Sequence, residues 1–380
     1  MVEARAADPV EPGLSLSPEA RPETASGRAL PRMGWLDYGR LIAALFVMLD
    51  HYCFVALDPR INAQILPYGP LTQVFSNGMV GLYFFFIASG LVIFPLAQRQ
   101  SVRAFAARRI ARVYPIYLLA MILTTIASQY GPPGSAVGPS RFLADLLMAG
   151  PMFGIKHVDA VYWTLVVEIQ FYAAILVLKL TGLLRHPQRV VTVWTGLLVL
   201  SQGLQIELPL LGTNFHCLAA GAVLSLVYQR QNLRLNFALL ALIAAMCMVD
   251  AYRYSVAVSI APLPFVALTA ALFPAFLLLR GCEWRLPFAQ RIGSLTYPLY
   301  LLHFHIGLVV ISHFGTEANK YLLVTVLCLG MIAASAAIDE VMEMRLRRYW
   351  TRLADRTLAL FARLLHDTGV ALRIVSVPRQ

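Results

Sequence analysis

The sequence predicts an all-α polytopic membrane protein of about ten transmembrane helices with both termini in the cytoplasm. Three observations carry that reading. Hydrophobic residues make up 59% of the 380 residues and charged ones only 13%, with a mean hydropathy of +0.67, far from the balance of a soluble domain. Apolar runs of about 20 residues, enough to cross roughly 30 Å of hydrocarbon, cover most of the chain. The loops between them are basic on one side only. Of 31 Lys and Arg, 25 fall on the side of the N-terminus and five (Arg60, Arg141, Lys156, Arg253, Lys320) on the other, while Arg40 lies within a span. This positive-inside bias orients the bundle and explains most of the net charge of +11, so the charge does not point to nucleic acid.

Along the chain, residues 1–33 are rich in Pro, Glu, Ala and Ser and lack the apolar core of a signal peptide, which predicts a disordered cytoplasmic segment. The membrane domain is placed at 34–344. Its spans read as 35–57, 76–96, 113–130, 161–180, 190–206, 208–228, 235–249, 257–279, 294–314 and 321–341, the fifth and seventh being short for a bilayer. The five Trp fall near span ends, as interfacial anchors should. From 345 to 380 a basic tail carries Leu346, Trp350, Leu353, Leu358, Phe361 and Leu365 at roughly helical spacing. That pattern fits an amphipathic helix on the inner leaflet, or simply the positive-inside tail of the last span. Five Cys without a CxxC pair indicate neither disulfides nor a thiolate metal site.

Polar residues inside the spans carry the functional signal, because hydrocarbon tolerates them poorly. The first span holds Asp37, Arg40, Asp50 and His51. Arg40 and His51, eleven residues apart, share a helix face to within about 20° and differ in height by about 16 Å. One reading is a cation near the cytoplasm below a basic imidazole; the other is a snorkelling Arg and a packing His. In the fourth span Glu168 lies five residues below Trp163, a depth like that of His51, so it is the first candidate to orient that imidazole; Asp50 is the second. In the ninth span His303 shares a face with Tyr300, whereas His305 is rotated by about 200°. His303 therefore offers a second imidazole for proton transfer, and His51, His216 and His303 make a poor metal set, so no metal is expected. His216 reads as a packing histidine. The stretch RQSVRAFAARRIARVYP sets Arg109 and Arg112 at i and i+3, two guanidinium forks suited to phosphate or to lipid headgroups. Ser89 and Gly90, after a run of phenylalanines, permit close approach of a helix or an extended ligand.

These segments, in order, resemble the integral-membrane acyltransferase 3 family. LDYGRLIAALFVMLDH is similar to its opening helix with Arg, ten residues, His; YFFFIASGLVIF to its phenylalanine-rich Ser-Gly segment; RRIARVYPIYLL to its Arg-x-x-Arg stretch. WTLVVEIQFY and LTYPLYLLH complete the series. Leu82 and Tyr83 stand where the family usually has an Asp, and Ile169 where a second Glu is common. The resemblance implies a multi-pass O-acyltransferase of the bacterial plasma (inner) membrane. It implies transfer of an acyl group, often acetyl, from a cytoplasmic donor such as acyl-CoA to a hydroxyl of a cell-envelope or exported carbohydrate, free or lipid-linked. Acyl-CoA would be a co-substrate, with no permanently bound cofactor, and an envelope-assembly protein could act as partner. Arg40, Arg109 and Arg112 are expected to hold the donor phosphates; His51 is expected as general base, with Glu168 and His303 as its catalytic neighbours. The rival classes are a proton-coupled transporter of a glycan or metabolite, since intramembrane Arg, His and Glu also mark ion pathways, and a structural scaffold.

Overall fold

Apolar runs with no surrounding polar partner must satisfy their backbone internally, and the described residues do so with helices. The computed structural model describes residues 33–62, 65–132, 134–148, 150–206, 208–282 and 286–367, among which there is no strand. The segment expected to be disordered lies outside the described residues up to position 32, as does the end of the tail from 368. Thirteen α-helices follow one another: α1 Gly34–Cys53, α2 Pro70–Phe75, α3 Met79–Arg99, α4 Val102–Ser128, α5 Pro139–Asp145, α6 Trp163–Leu180 and α7 Pro187–Leu204. Then come α8 Asn214–Tyr228, α9 Leu233–Ala257, α10 Pro262–Leu278, α11 Ala289–Phe314, α12 Lys320–Asp339 and α13 Arg347–Asp367. A π-helical stretch, Glu340–Arg345, joins the last two.

Eight of the described helical segments are long and apolar enough to cross a membrane, and the protein is an all-α multi-pass membrane protein. The expectation of about ten spans differs at α7 and α8, which do not reach that mark. The reason lies in α8: its 15 residues are buried almost throughout, from Phe215 to Val227, so protein rather than lipid surrounds it and its length need not match a bilayer. Gly90 of α3 and Gly221 of α8 make this possible. A Cβ on Gly90 would stand 2.1 Å from the Leu218 carbonyl oxygen, and one on Gly221 equally close to that of Ile87, so the two backbones touch.

Helix α4 is capped by Ser101, which accepts from the Ala104 N–H (3.2 Å), and it carries the arginine-rich stretch and the third apolar run as one helix that begins well before the expected span start at 113. Arg109 and Arg112 are thereby fixed on a rigid element. Helix α13 packs along α4 and is tied to it by the fork of Arg103 on Asp355 (Nε to Oδ1, 2.6 Å). Arg103 holds the Asp355 carboxyl below the usual carboxylate range.

Candidate functional site

The α1–α11 interface builds the centre of the site. Gly307 of α11 lies against the Tyr52 ring, whose nearest atoms would be 2.3 Å from a Cβ. This allows the Tyr52 hydroxyl to donate to the His303 carbonyl oxygen (2.7 Å). The preceding residue of α1 then meets the same partner: His51 Nδ1 is 2.7 Å from His303 Nε2, with the rings 14° from parallel. The proton positions follow from the chain of acceptors. His303 Nδ1 faces the carbonyl oxygens of Tyr300 (2.9 Å) and Leu299 (3.2 Å), so it must carry a hydrogen. Neutral His303 therefore accepts at Nε2, and His51 donates from Nδ1. The lone pair of His51 is left on Nε2, whose nearest carboxylate oxygen, Asp50 Oδ2, is 4.0 Å away. The His51 side chain is 15% exposed, so this free basic nitrogen sits in a nearly closed but reachable position.

Glu168 is not its partner. The Glu168 carboxylate accepts from the Tyr172 hydroxyl one turn along α6 and lines a cavity of about 380 Å³ with Arg40, Arg109 and Arg112. Trp163, from which its depth was counted, packs on Phe86 within α3 (centroids 6.5 Å apart), and Glu168 five residues on turns to the arginines.

All three predicted arginines thus meet in one cavity with Glu168, and the two predicted histidines meet each other beyond it. Arg40 is 3.8 Å from Asp37. Arg109 lies over the rings of Phe105 and Tyr172 (5.9 and 5.7 Å), and its Nε is buried without a hydrogen-bond partner. Arg112 is 3.6 Å from Glu343, which also approaches Arg347 at 3.9 Å. Three guanidinium groups and an orphaned N–H in one half-enclosed space are a ready receptor for a polyanion. Ser89, Phe85 and Phe86 line it too, while Gly90 turns to α8, so the Ser-Gly pair serves cavity and packing separately. Phe85 and Tyr300 stand together where the cavity points along α11 (centroids 6.0 Å). Tyr300 is one turn from His303, with ring centroids 5.6 Å apart.

Sequence reasoning missed Tyr52, Glu343 and Asp159. Asp159 accepts from the N–H groups of Val161 (3.2 Å) and His305 (3.1 Å), pinning the start of α6 to α11 beside His303; burial raises its carboxyl to about 7. Glu343 had a signal, an acidic residue where the last span turns basic. His216, expected to be a packing residue, is instead paired with Asp250 (2.5 Å). Among the described residues no cluster of His, Cys, Asp and Glu is arranged to hold a metal.

No curated protein and no solved structure matches the chain. The family model for an acyltransferase domain matches residues 33–340. That stretch contains every element of the cavity except Glu343, Met344 and Arg347, and the chain belongs to the acyltransferase 3 family.

Proposed function

We propose that the protein transfers an acyl group, acetyl in the simplest case, from acyl-CoA to a hydroxyl of a cell-envelope carbohydrate. The observation that carries this reading is the convergence of Arg40, Arg109 and Arg112 in a cavity that ends one turn from the His51–His303 pair. In this reading the arginine end of the bundle faces the cytoplasm, as the distribution of basic loops requires. The donor phosphates lie among the three arginines, and the acyl-bearing arm passes Phe85 and Tyr300 to reach His51.

The reaction needs one base with a free lone pair. A carbohydrate hydroxyl is a weak nucleophile at neutral pH, so His51 Nε2 takes its proton while the oxygen attacks the thioester carbonyl. The carbon–sulfur bond then breaks, and the thiolate leaves with the proton from His51 Nε2, giving an ester and free CoA. His303 accepts the hydrogen bond from His51 Nδ1, which fixes the tautomer and strengthens as the ring becomes cationic. Glu168 acts at the donor end, where with Asp37 it balances the arginine charge and holds the forks in place.

The test uses purified protein in nanodiscs with acetyl-CoA and an envelope glycan fraction. His51→Ala should abolish both CoA release and acylated glycan while acetyl-CoA still binds. Arg112→Ala should weaken acetyl-CoA binding by roughly ten- to a hundredfold, the range for losing a charged hydrogen bond. Full turnover in His51→Ala, or unaltered donor affinity in Arg112→Ala, would remove the corresponding half of the proposal. Glycan movement without CoA release would instead favour transport.

A further inference from the structure

The far end of the bundle holds a second cavity, away from the arginines, whose chemistry acyl transfer does not use. It measures about 330 Å³ and is lined by Gln202 and Gln205 of the α7 end, Thr213 and His216 at the start of α8, and Arg253 of α9. Its floor is closed by Ser201, whose hydroxyl lies 3.0 Å from the Leu211 carbonyl oxygen and close to that of Ile206.

The buried wall is His216, backed by the Asp250 carboxylate. Asp250 accepts from His216 Nδ1 (2.5 Å) and from the Gln202 side-chain amide (2.8 Å). An ionised carboxylate can only accept, so a hydrogen of His216 sits on Nδ1 and, in the neutral ring, the lone pair is on Nε2. His216 is 1% exposed, and its Nε2 is buried with no hydrogen-bond partner. A buried acceptor left unpaired costs about 1–3 kcal/mol, which a chain retains where something else supplies the donor. At the rim, Arg253 is exposed and makes no hydrogen bond or ion pair among the described residues.

The two features select one ligand chemistry. Against the Asp250 carboxylate a buried anion would be repelled, whereas a neutral hydroxyl can donate to His216 Nε2. An anion is welcome only at the rim, on Arg253. A volume of this size suits a sugar-sized molecule rather than a single ion.

We propose that this cavity binds a polyhydroxylated ligand carrying one anionic group, with a hydroxyl donating to His216 Nε2 and the anion held by Arg253. The inference stands apart from the acyl-transfer reading, since none of these residues lies in the arginine cavity. Two sources share the chemistry: an acidic sugar, and a glycerol-phosphate lipid headgroup.

Saturation-transfer NMR on the full-length protein in phosphatidylcholine nanodiscs would read glucuronate, glucose and acetate as three probes. Glucuronate should bind, glucose more weakly and acetate least. Arg253→Gln, a rim change that leaves the buried pair intact, should raise the glucuronate Kd roughly tenfold or more, the loss expected for one charged hydrogen bond. His216→Gln should weaken glucuronate and glucose alike. Adding phosphatidylglycerol to the nanodiscs separates the sources: competition with glucuronate assigns the lipid headgroup, and no competition assigns the soluble acidic sugar. Absence of glucuronate binding, equal binding of acetate, or parental affinity in Arg253→Gln would overturn the proposal.

Discussion

Replacing His303 by Ala tests the arrangement at the centre of the site, because His303 touches the base without touching the donor cavity. His51 Nδ1–H would lose its acceptor at 2.7 Å. A neutral hydrogen bond contributes a net 0.5–1.5 kcal/mol and one to a charged group about 1.5–3, so the bond gains roughly 1 kcal/mol when His51 takes up a proton. Adding the cost of an unpaired buried N–H and of a freed tautomer gives about 1–3 kcal/mol on the barrier, or roughly 5- to 150-fold in kcat. This is less than the 10² to 10⁴ expected from losing the base itself in His51→Ala. The KM for acetyl-CoA should stay within about twofold, since the arginines are unchanged. His303→Gln, whose amide oxygen can accept from Nδ1–H, should recover part of the lost rate. The assay is CoA thiol release by purified protein in nanodiscs, with product mass as a check. Parental kcat in His303→Ala, or a loss equal to that of His51→Ala with no recovery in His303→Gln, refutes the positioning role.

Three further outcomes follow from the geometry. Glu343 sits 3.6 Å from Arg112 and opposes an incoming polyanion, so Glu343→Gln should lower the acetyl-CoA KM by up to about fivefold, a partly screened charge effect of about 1 kcal/mol; a raised KM in steady-state kinetics would show that Glu343 instead holds Arg112 in place. Gly221→Ala puts a methyl group 2.1 Å from the Ile87 carbonyl oxygen and should destabilise the α3–α8 pair by roughly 1–3 kcal/mol, read as a lower melting temperature in detergent, and an unchanged melt would contradict the close contact. The Asp355 carboxyl is held below its ordinary value by Arg103, so its contribution to docking α13 is complete above the unfolded value near 4 and is lost as pH falls through the lower folded one. Proteolytic release of α13 should therefore rise only on acidification below about pH 4, and Asp355→Asn should weaken docking at neutral pH by less than about 1 kcal/mol, as for an exposed pair. Release that began near neutral pH would point to another group.

What the sequence made legible was what lies along one helix. The eleven-residue separation of Arg40 and His51, and the i, i+3 pair of Arg109 and Arg112, are set by helical geometry and reappear in the fold. Relations between helices were legible only so far as depths could be counted from span ends. For Glu168 that count began at Trp163, which packs on Phe86 within α3, and the carboxylate belongs to the arginines. His303 was expected as a catalytic neighbour of His51, yet the contact depends on Gly307 admitting Tyr52, which no single-helix pattern contains. Asp250 falls just past the expected seventh span, and its significance appears only once His216 from another helix is placed against it. The length of α8 was misjudged for a related reason: hydropathy cannot tell a helix wrapped by protein from one facing lipid.

The hydrogen-bond order around His51 bears on the choice between chemistry and transport. A proton pathway must hand its proton onward at each station. From His51 Nδ1 the chain runs to His303 Nε2, and from His303 Nδ1 to the carbonyl oxygens of Tyr300 and Leu299, which accept hydrogen bonds but are far too weakly basic to carry a proton away. The route through His303 is therefore closed. A proton taken at His51 Nε2 has to leave from the same nitrogen, which suits a general base that later serves as the acid for a departing thiolate. The spacing on α1 agrees with the proposed reading. Arg40 and His51 are held about 16 Å apart by one continuous helix, so in that reading the donor spans this distance between phosphate and acyl carbon, as an acyl thioester on a long phosphate-bearing arm can and an acyl phosphate cannot.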